Sequence, residues 1–152
     1  MHRINVLISS CLYGVKCRYD GKANYCDSIE ELKEFCNFIP ACAECLAGLP
    51  TPRTPCELIG GKVISKTGED LTEAFVDGAK QVLKIAKENN CSIALLKQRS
   101  PSCGNGLIYD GTFSGSLISG DGITSSLIKK NGIKVFNETD VCDLLNFLKN
   151  PQ

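Results

Sequence analysis

The chain has 152 residues, which suits one domain with one hydrophobic core, and we expect residues 1–152 to form a single domain. Lysine plus arginine equals aspartate plus glutamate at 17 each, so the net charge is zero and general nucleic-acid binding, which needs a basic face, is not expected. A membrane-spanning helix needs about 20 consecutive apolar residues, and no stretch of the sequence approaches this length. The N-terminus does not have the pattern of a signal peptide. We therefore expect a cytoplasmic protein with no membrane partner.

Apolar runs and helical spacing alternate along the chain, and turn residues separate them. In chain order, we predict a strand at 3–9, a loop at 10–25, a helix at 27–36, a strand at 38–41, a proline-rich loop at 49–55, a short edge strand at 62–65, a long helix at 71–88, a buried strand at 92–96, a glycine-rich loop at 98–122, a helix at 123–130, a strand at 134–136 and a helix at 139–149. This alternation predicts an α/β fold: a three-layer sandwich with a mainly parallel sheet, Rossmann- or flavodoxin-like.

Three cysteines follow three different predicted strands. Cys11 follows the first strand, Cys42 the second and Cys103 the central one. In parallel sheets, sites lie beyond the carboxyl ends of the strands, so these three thiols are expected at one edge of the sheet. Cys91 begins a strand and therefore lies at the opposite edge.

Ten cysteines are many for a chain expected in a reducing compartment, where metal binding, catalysis or simple burial must explain them. Burial is the ordinary alternative for any one cysteine, and we adopt it for Cys36, Cys91 and Cys142. The only histidine is His2, so any chemistry depends on other side chains.

Thiolates are soft ligands that suit iron–sulfur clusters. Three of them on a four-iron cluster leave one iron open, and an open iron is a Lewis acid. Two other hypotheses stay open: a cluster- or zinc-binding or sensing module without turnover, and a nucleophilic-cysteine enzyme. The second arises because Cys11 and Arg18 nearly match the spacing of a phosphate-binding loop, with one residue too many.

Seven motifs occur in order along nearly the whole chain: SCLYG at 10–14, RYDG at 18–21, CAE at 42–44, GLPTPR at 48–53, RSPSCG at 99–104, YDGTF at 109–113 and GDG at 120–122. Together they resemble the bacterial thiouracil desulfurase (TudS) family, long known only as a domain of unknown function. The chain departs from the family at Ala43, where a proline is frequent, and at Cys45, an additional thiol.

The resemblance implies a desulfurase that converts a thiolated pyrimidine, thiouracil or thiouridine-like, to its oxo form and releases sulfide. It implies a [4Fe–4S] cluster held by three cysteines, which match Cys11, Cys42 and Cys103. The open iron would bind the substrate sulfur, without net electron transfer. Cys17 or Cys45 remains an alternative ligand. The implied partner is a small thiolated pyrimidine, and we expect a monomer.

Glu44 and Ser100 match the catalytic pair that the resemblance implies. A carboxylate near an apolar residue can have the raised pKa of a general base, although Glu44 could instead be solvated or paired with Arg53. Ser100 could orient water or donate to the pyrimidine, although it could equally be a turn residue. Three polar residues are candidates for substrate binding, the alternative being an ion-pair network: Arg18, Asp20 and Arg53.

Overall fold

The structure is a computed structural model that describes residues 3–23 and 26–150, so His2 lies outside the described residues. Its strands are β1 Ile4–Ser9, β2 Cys36–Ala41, β3 Cys56–Ile59, β4 Lys62–Ser65, β5 Ile93–Leu96, β6 Leu107–Tyr109, β7 Leu117–Ser119 and β8 Lys134–Asn137. Its helices are α1 Ile29–Leu32, α2 Ala43–Leu46, α3 Thr72–Glu88, α4 Ile123–Lys130 and α5 Val141–Lys149, with 3₁₀ turns at Ser10–Tyr13 and Glu138–Asp140. None of the described helices combines the length and the apolar character needed to cross a membrane.

Four parallel strands form the main sheet in the order β2-β1-β5-β8. Val6 of β1 pairs with Phe38 on one side and with Ile93 on the other, so β1 is central. The order reverses between β1 and β5, which is where such sheets place their sites. Pro40 lacks a backbone donor and is accommodated because β2 is an edge strand.

Alternating side chains of β1 bury into two separate cores. Val6 and Ile8 pack on the face covered by α1 and α5, whereas Leu7 packs on the face covered by α3 and α4. Each fully buried aliphatic side chain of this kind stabilises the fold by about 1.5–3 kcal/mol. The two cores confirm the predicted three-layer α/β sandwich.

The first predicted helix is too long in our prediction. Only Ile29–Leu32 is helical, because the chain turns and enters β2 at Cys36. Cys36 and Cys91 are buried as expected, with 1% and 6% of their surface exposed. Cys142 is exposed, and its predicted burial is wrong, because it lies on the outer face of α5.

Two antiparallel hairpins stand outside the main sheet. The strand predicted at 62–65 is β4, but it pairs with β3 and not with the edge of the main sheet. The loop predicted at 98–122 contains the β6–β7 hairpin. The two hairpins contact each other through β3 and β6, and residues of both flank the carboxyl edge of the main sheet.

Candidate active site

The three predicted cysteines lie beyond the carboxyl ends of three adjacent strands. Cys11 lies in the 3₁₀ turn that follows β1, and Cys42 immediately precedes α2, after β2. Cys103 lies in the loop after β5. Since β1 pairs with both β2 and β5, the sheet itself brings the three segments together.

A cavity of 410 Å³ occupies this edge of the sheet, a size typical of small-molecule sites, which range over about 300–1,000 Å³. Of the eight predicted site residues, seven line it: Cys11, Arg18, Cys42, Glu44, Arg53, Ser100 and Cys103. The eighth, Asp20, is not part of the lining. Its carboxylate lies 3.4 Å from the Arg18 guanidinium and accepts a hydrogen bond from the Lys22 amide. Asp20 therefore holds Arg18 and its turn.

Cys17 is a fourth thiol of the cavity and hydrogen-bonds with the side chains of both Cys11 and Cys42. These hydrogen bonds raise the pKa of Cys17. The hydrogen bond from Cys17 lowers the pKa of Cys42 to about 5, against the opposing effect of burial. Burial raises the pKa of Cys103 to about 12. Among Cys17, Cys42 and Cys103, Cys42 is therefore the thiol that ionises most readily.

Glu44 is a partner of Arg53 and is not a solvated loop carboxylate. The Arg53 Nε donates to Glu44 Oε2 at 2.7 Å, and Nη2 contacts the same oxygen. Burial raises the pKa of Glu44, and Arg53 opposes this effect. Arg53 also donates to the carbonyl oxygens of Cys17 at 2.8 Å and Pro50 at 3.1 Å, so it joins the loop after β1 to α2 and the proline-rich loop.

Ser100 has the turn role that we considered as its alternative. Its Oγ accepts hydrogen bonds from the amides of Ser102 at 3.0 Å and Cys103 at 3.1 Å. Gly104 completes the turn, because a Cβ at this position would clash with the Ser100 backbone. Ser100 thus sets the position of Cys103 and also faces the cavity.

The loop after β1 does not have the arrangement of a phosphate-binding loop. The amides of Gly14, Val15 and Cys17 donate to backbone carbonyls within the same loop. The Arg18 amide donates to the Lys22 carbonyl. Because these donors are engaged inside the loop, they do not form the ring of free amides that would bind a phosphate. This geometry does not favour the nucleophilic-cysteine alternative.

The cavity contains the sulfur donors that an iron–sulfur cluster requires. Among residues 3–23 and 26–150, no group of three or more His, Cys, Asp or Glu side chains is placed to hold one metal ion. The ligands of a four-iron cluster stand farther apart than those of one zinc ion, because each binds a different iron. Cysteine thiols around a cavity of small-molecule size are the donor set that such a cluster needs.

Several cavity residues were not predicted. Cys17 was considered only as an alternative ligand, and its central place among the thiols depends on the fold of the loop. Glu57 and Phe113 lie on the two hairpins, whose strands are too short to leave a clear periodic pattern. Only the YDGTF motif pointed towards this part of the chain.

Comparison with known proteins gives three matches. The model of the 2-thiouracil desulfurase family matches residues 6–140. The uncharacterized protein YbbK of Bacillus subtilis strain 168 is 43% identical in an alignment of 150 positions that covers 92% of this chain and 99% of YbbK. The solved structure of the [4Fe-4S]-dependent thiouracil desulfidase TudS is 36% identical, with a TM-score of 0.90 over 97% of this chain and 99% of TudS.

These matches confirm two predictions. The TudS structure has the same α/β fold over almost the whole length of both chains. The family model covers the stretch that includes Cys11, Cys42, Cys103 and Glu44, and it supports the predicted desulfurase class. On this basis, the chain belongs to the 2-thiouracil desulfurase family.

Proposed function

We propose that this chain is a [4Fe–4S]-dependent desulfidase that replaces the sulfur of a thiolated pyrimidine with oxygen. The reaction consumes one water and releases one sulfide: the C=S carbon gains the water oxygen, the sulfur leaves as H₂S, and no electrons are transferred. The observation that carries the proposal is that Cys11, Cys42 and Cys103 line one cavity together with Glu44. Membership of the family and the likeness to TudS support it.

Cys11, Cys42 and Cys103 would hold the cluster, because they come from three adjacent strand ends. When bound, a cluster with three protein ligands supplies one Lewis-acidic iron for the substrate sulfur. The three segments are fixed by the parallel register of β1, β2 and β5, so the chain presents the thiols from rigid supports.

Glu44 is the group that we assign to take the proton of the attacking water. The cavity lining contains two carboxylates, Glu44 and Glu57. Glu57 Oε1 accepts hydrogen bonds from the backbone amides of Gly111 and Phe113, so this side chain holds a turn of the chain. Glu44 is held by Arg53, which fixes its direction and can stabilise the carboxylate between turnovers.

Two other polar residues complete the proposed site. The Ser100 hydroxyl oxygen accepts hydrogen bonds from two backbone amides. Its own hydrogen can therefore be donated to the water or to the pyrimidine. We assign Arg18 to substrate binding, because it lines the cavity. Asp20 orients Arg18 through their ion pair and does not itself reach the substrate.

The cluster is tested by anaerobic purification and analysis of iron and acid-labile sulfide. The wild-type protein is expected to contain about four iron atoms per chain. Cys11→Ser, Cys42→Ser and Cys103→Ser are each expected to lose most of this iron. Cys142→Ser is the matched control, because Cys142 is exposed on α5 and does not line the cavity. Cys17→Ser and Cys45→Ser test whether either of these cysteines is a cluster ligand, and loss of iron in either variant would revise the proposed ligand set.

The reaction is tested by sulfide release from 2-thiouracil by the loaded protein. We expect stoichiometric uracil and sulfide without an added electron donor or acceptor. If the protein contains the cluster but releases no sulfide, the result instead supports a binding or sensing module. If the protein takes up only zinc, the result contradicts the proposed iron–sulfur cluster.

We also propose that the protein works as a cytoplasmic monomer. The α/β fold that the chain shares with the TudS structure is consistent with a cytoplasmic enzyme. Light scattering of the purified protein is expected to give the mass of one chain, and a stable dimer would contradict the monomer.

A further inference from the structure

Phe113 has a backbone conformation that is rare for a bulky residue. It lies in the turn between β6 and β7, and its φ is 57°. A residue with a Cβ pays a steric cost in this left-handed region, and such residues concentrate at functional sites, where the surrounding structure holds them in place. The Phe113 side chain is half-buried and lines the cavity that contains the three proposed cluster ligands.

Glu57 holds this turn in position. Its Oε1 accepts hydrogen bonds from the amides of Gly111 at 3.0 Å and Phe113 at 3.1 Å. The carboxylate is on β3, and the residue is only 8% exposed. A Cβ at Gly111 would lie 2.6 Å from Ile59 Cγ1 and 2.9 Å from the Leu58 carbonyl oxygen, so the two hairpins are in close contact at this point.

The other aromatic residues that line the cavity lack these features. Tyr19 is 42% exposed, and its ring lies 5.8 Å from the Arg18 guanidinium carbon. Phe75 is 1% exposed and belongs to the packing of α3. Tyr109 has ordinary backbone angles within β6. Phe113 is therefore the ring whose place depends on a dedicated buried carboxylate.

We propose that Phe113 is a specificity-determining residue whose ring stacks on the pyrimidine, and that Glu57 is the positioning residue that holds it there. The proposal rests on the proposed function, because it takes the substrate to be a pyrimidine. Stacking of a base on an aromatic side chain changes affinity by about 5- to 150-fold. Because a stacked ring is held in both ground and transition states, the effect falls on KM and not on kcat.

The first test uses the absence of tryptophan from the sequence. Phe113→Trp introduces a single tryptophan into the cavity, and uracil is expected to quench its fluorescence in a saturable way. Ile118→Trp is the matched control, because Ile118 is on the same hairpin, is 47% exposed and does not line the cavity. An unchanged Phe113→Trp signal, or an equal change in both variants, overturns the stacking role.

The second test separates stacking from the backbone conformation. Asparagine tolerates the left-handed region but has no aromatic ring, so Phe113→Asn is expected to raise KM for 2-thiouracil about tenfold, with iron content and kcat retained. Phe113→Tyr keeps the ring and is expected to keep KM. If Phe113→Asn has the wild-type KM and binds uracil as tightly, Phe113 is only a turn residue.

The third test addresses Glu57. Glu57→Ala removes the acceptor of both amides, so KM is expected to rise and hydrogen exchange at the amides of Gly111 and Phe113 to accelerate. Glu57→Gln retains an oxygen acceptor and is expected to restore both values. Lack of rescue by Glu57→Gln contradicts the positioning role. If the wild-type protein releases no sulfide, the proposed function fails, whereas the uracil titration still decides whether Phe113 contacts a pyrimidine.

Discussion

At the scale of single residues, the cavity brings the Glu44 carboxylate and its Arg53 partner close to several thiols. Arg53 is the link among them, because its three donor nitrogens reach Glu44, the Cys17 carbonyl and the Pro50 carbonyl. Fixing a long side chain with several acceptors leaves it few alternative rotamers. The position of Glu44 relative to Cys42 is therefore set by Arg53 as well as by α2.

Glu44→Gln tests the proposed base. The amide is the same size and still contacts Arg53, but it cannot take a proton. The rate of sulfide release is expected to fall about 10²- to 10⁴-fold, the usual contribution of a general base, while the iron content stays unchanged. Glu73→Gln, an exposed glutamate at the start of α3, is the control and is expected to retain full activity. Wild-type turnover in Glu44→Gln would remove Glu44 from the mechanism.

The thiols differ in reactivity when the metal group is absent. The pKa of Cys42 is lowered to about 5, so it is a thiolate from about pH 6 upwards, whereas Cys103, with a pKa of about 12, stays protonated. A short iodoacetamide pulse on the cluster-free protein at pH 6.5 is expected to alkylate Cys42 first, and this rate is expected to fall below pH 5. Peptide mass spectrometry measures it, and faster labelling of exposed Cys142 would contradict the prediction.

The sequence was informative about residue positions and less so about residue partners. The strand-end rule placed Cys11, Cys42 and Cys103 at one edge because it depends only on the order of the elements. The pairing of Glu44 with Arg53 was one of the alternatives that the sequence left open. Glu57 could not be predicted, because its two amide partners are more than 50 residues away in a loop without periodicity.

At the scale of elements, the contact between α2 and α3 carries the site. Gly78 of α3 lies against Ala43, the first residue of α2, and a Cβ at position 78 would clash with the Ala43 carbonyl. A glycine inside a helix is usually unfavourable, so this one is explained by the close approach of α2. Cys42 and Glu44 flank Ala43, and the close packing therefore determines where both side chains lie.

Gly78→Ala tests this contact. Although alanine favours a helix, the added methyl group must displace α2, and we expect a loss of about 1–3 kcal/mol in the free energy of unfolding. Lys80→Ala on the exposed face of α3 is the control and is expected to have little effect. Thermal or denaturant unfolding measures the difference. A Gly78→Ala protein as stable as the wild type would mean that α2 is free to move.

Strongly patterned elements were predicted well, whereas several of the short elements around the site were not. α3 and α4 have clear helical spacing, β1 contains the apolar run Val6–Ile8, and β5 is a continuous apolar run, so their existence followed from the sequence. α2 has four residues and the strands of the β6–β7 hairpin three each, so each element spans fewer than two periods of its pattern. These elements form because of tertiary packing, and the site depends on them.

At the scale of the whole molecule, the fold does not depend on the metal group for its core. Both hydrophobic cores are built on the faces of the main sheet, and most of their side chains do not line the cavity. An iron–sulfur cluster that binds the folded chain but not the unfolded chain nevertheless stabilises the folded state by mass action. The loaded and cluster-free proteins are thus expected to share one fold and to differ in stability.

Removal of the cluster by anaerobic chelation tests this expectation. The melting temperature is expected to fall, while the far-ultraviolet circular dichroism at 20 °C is expected to stay unchanged. This temperature lies well below the melting points of about 45–65 °C that are typical of mesophilic domains. The triple variant Cys11→Ser, Cys42→Ser and Cys103→Ser is the control, since chelation should not shift its melting temperature. Loss of secondary structure on chelation would show that the cluster is needed for folding.

The parallel order of the main sheet also has a consequence for biosynthesis. The proposed ligands are spread over residues 11–103, and the third joins the others only after β5 has paired with β1. A ribosome-bound chain that has exposed only β1 and β2 presents two of the three thiols and no finished pocket. With this proposed ligand set, we expect iron–sulfur delivery only after residue 103 has been made, and C-terminal truncations ending before it should accumulate as iron-free protein.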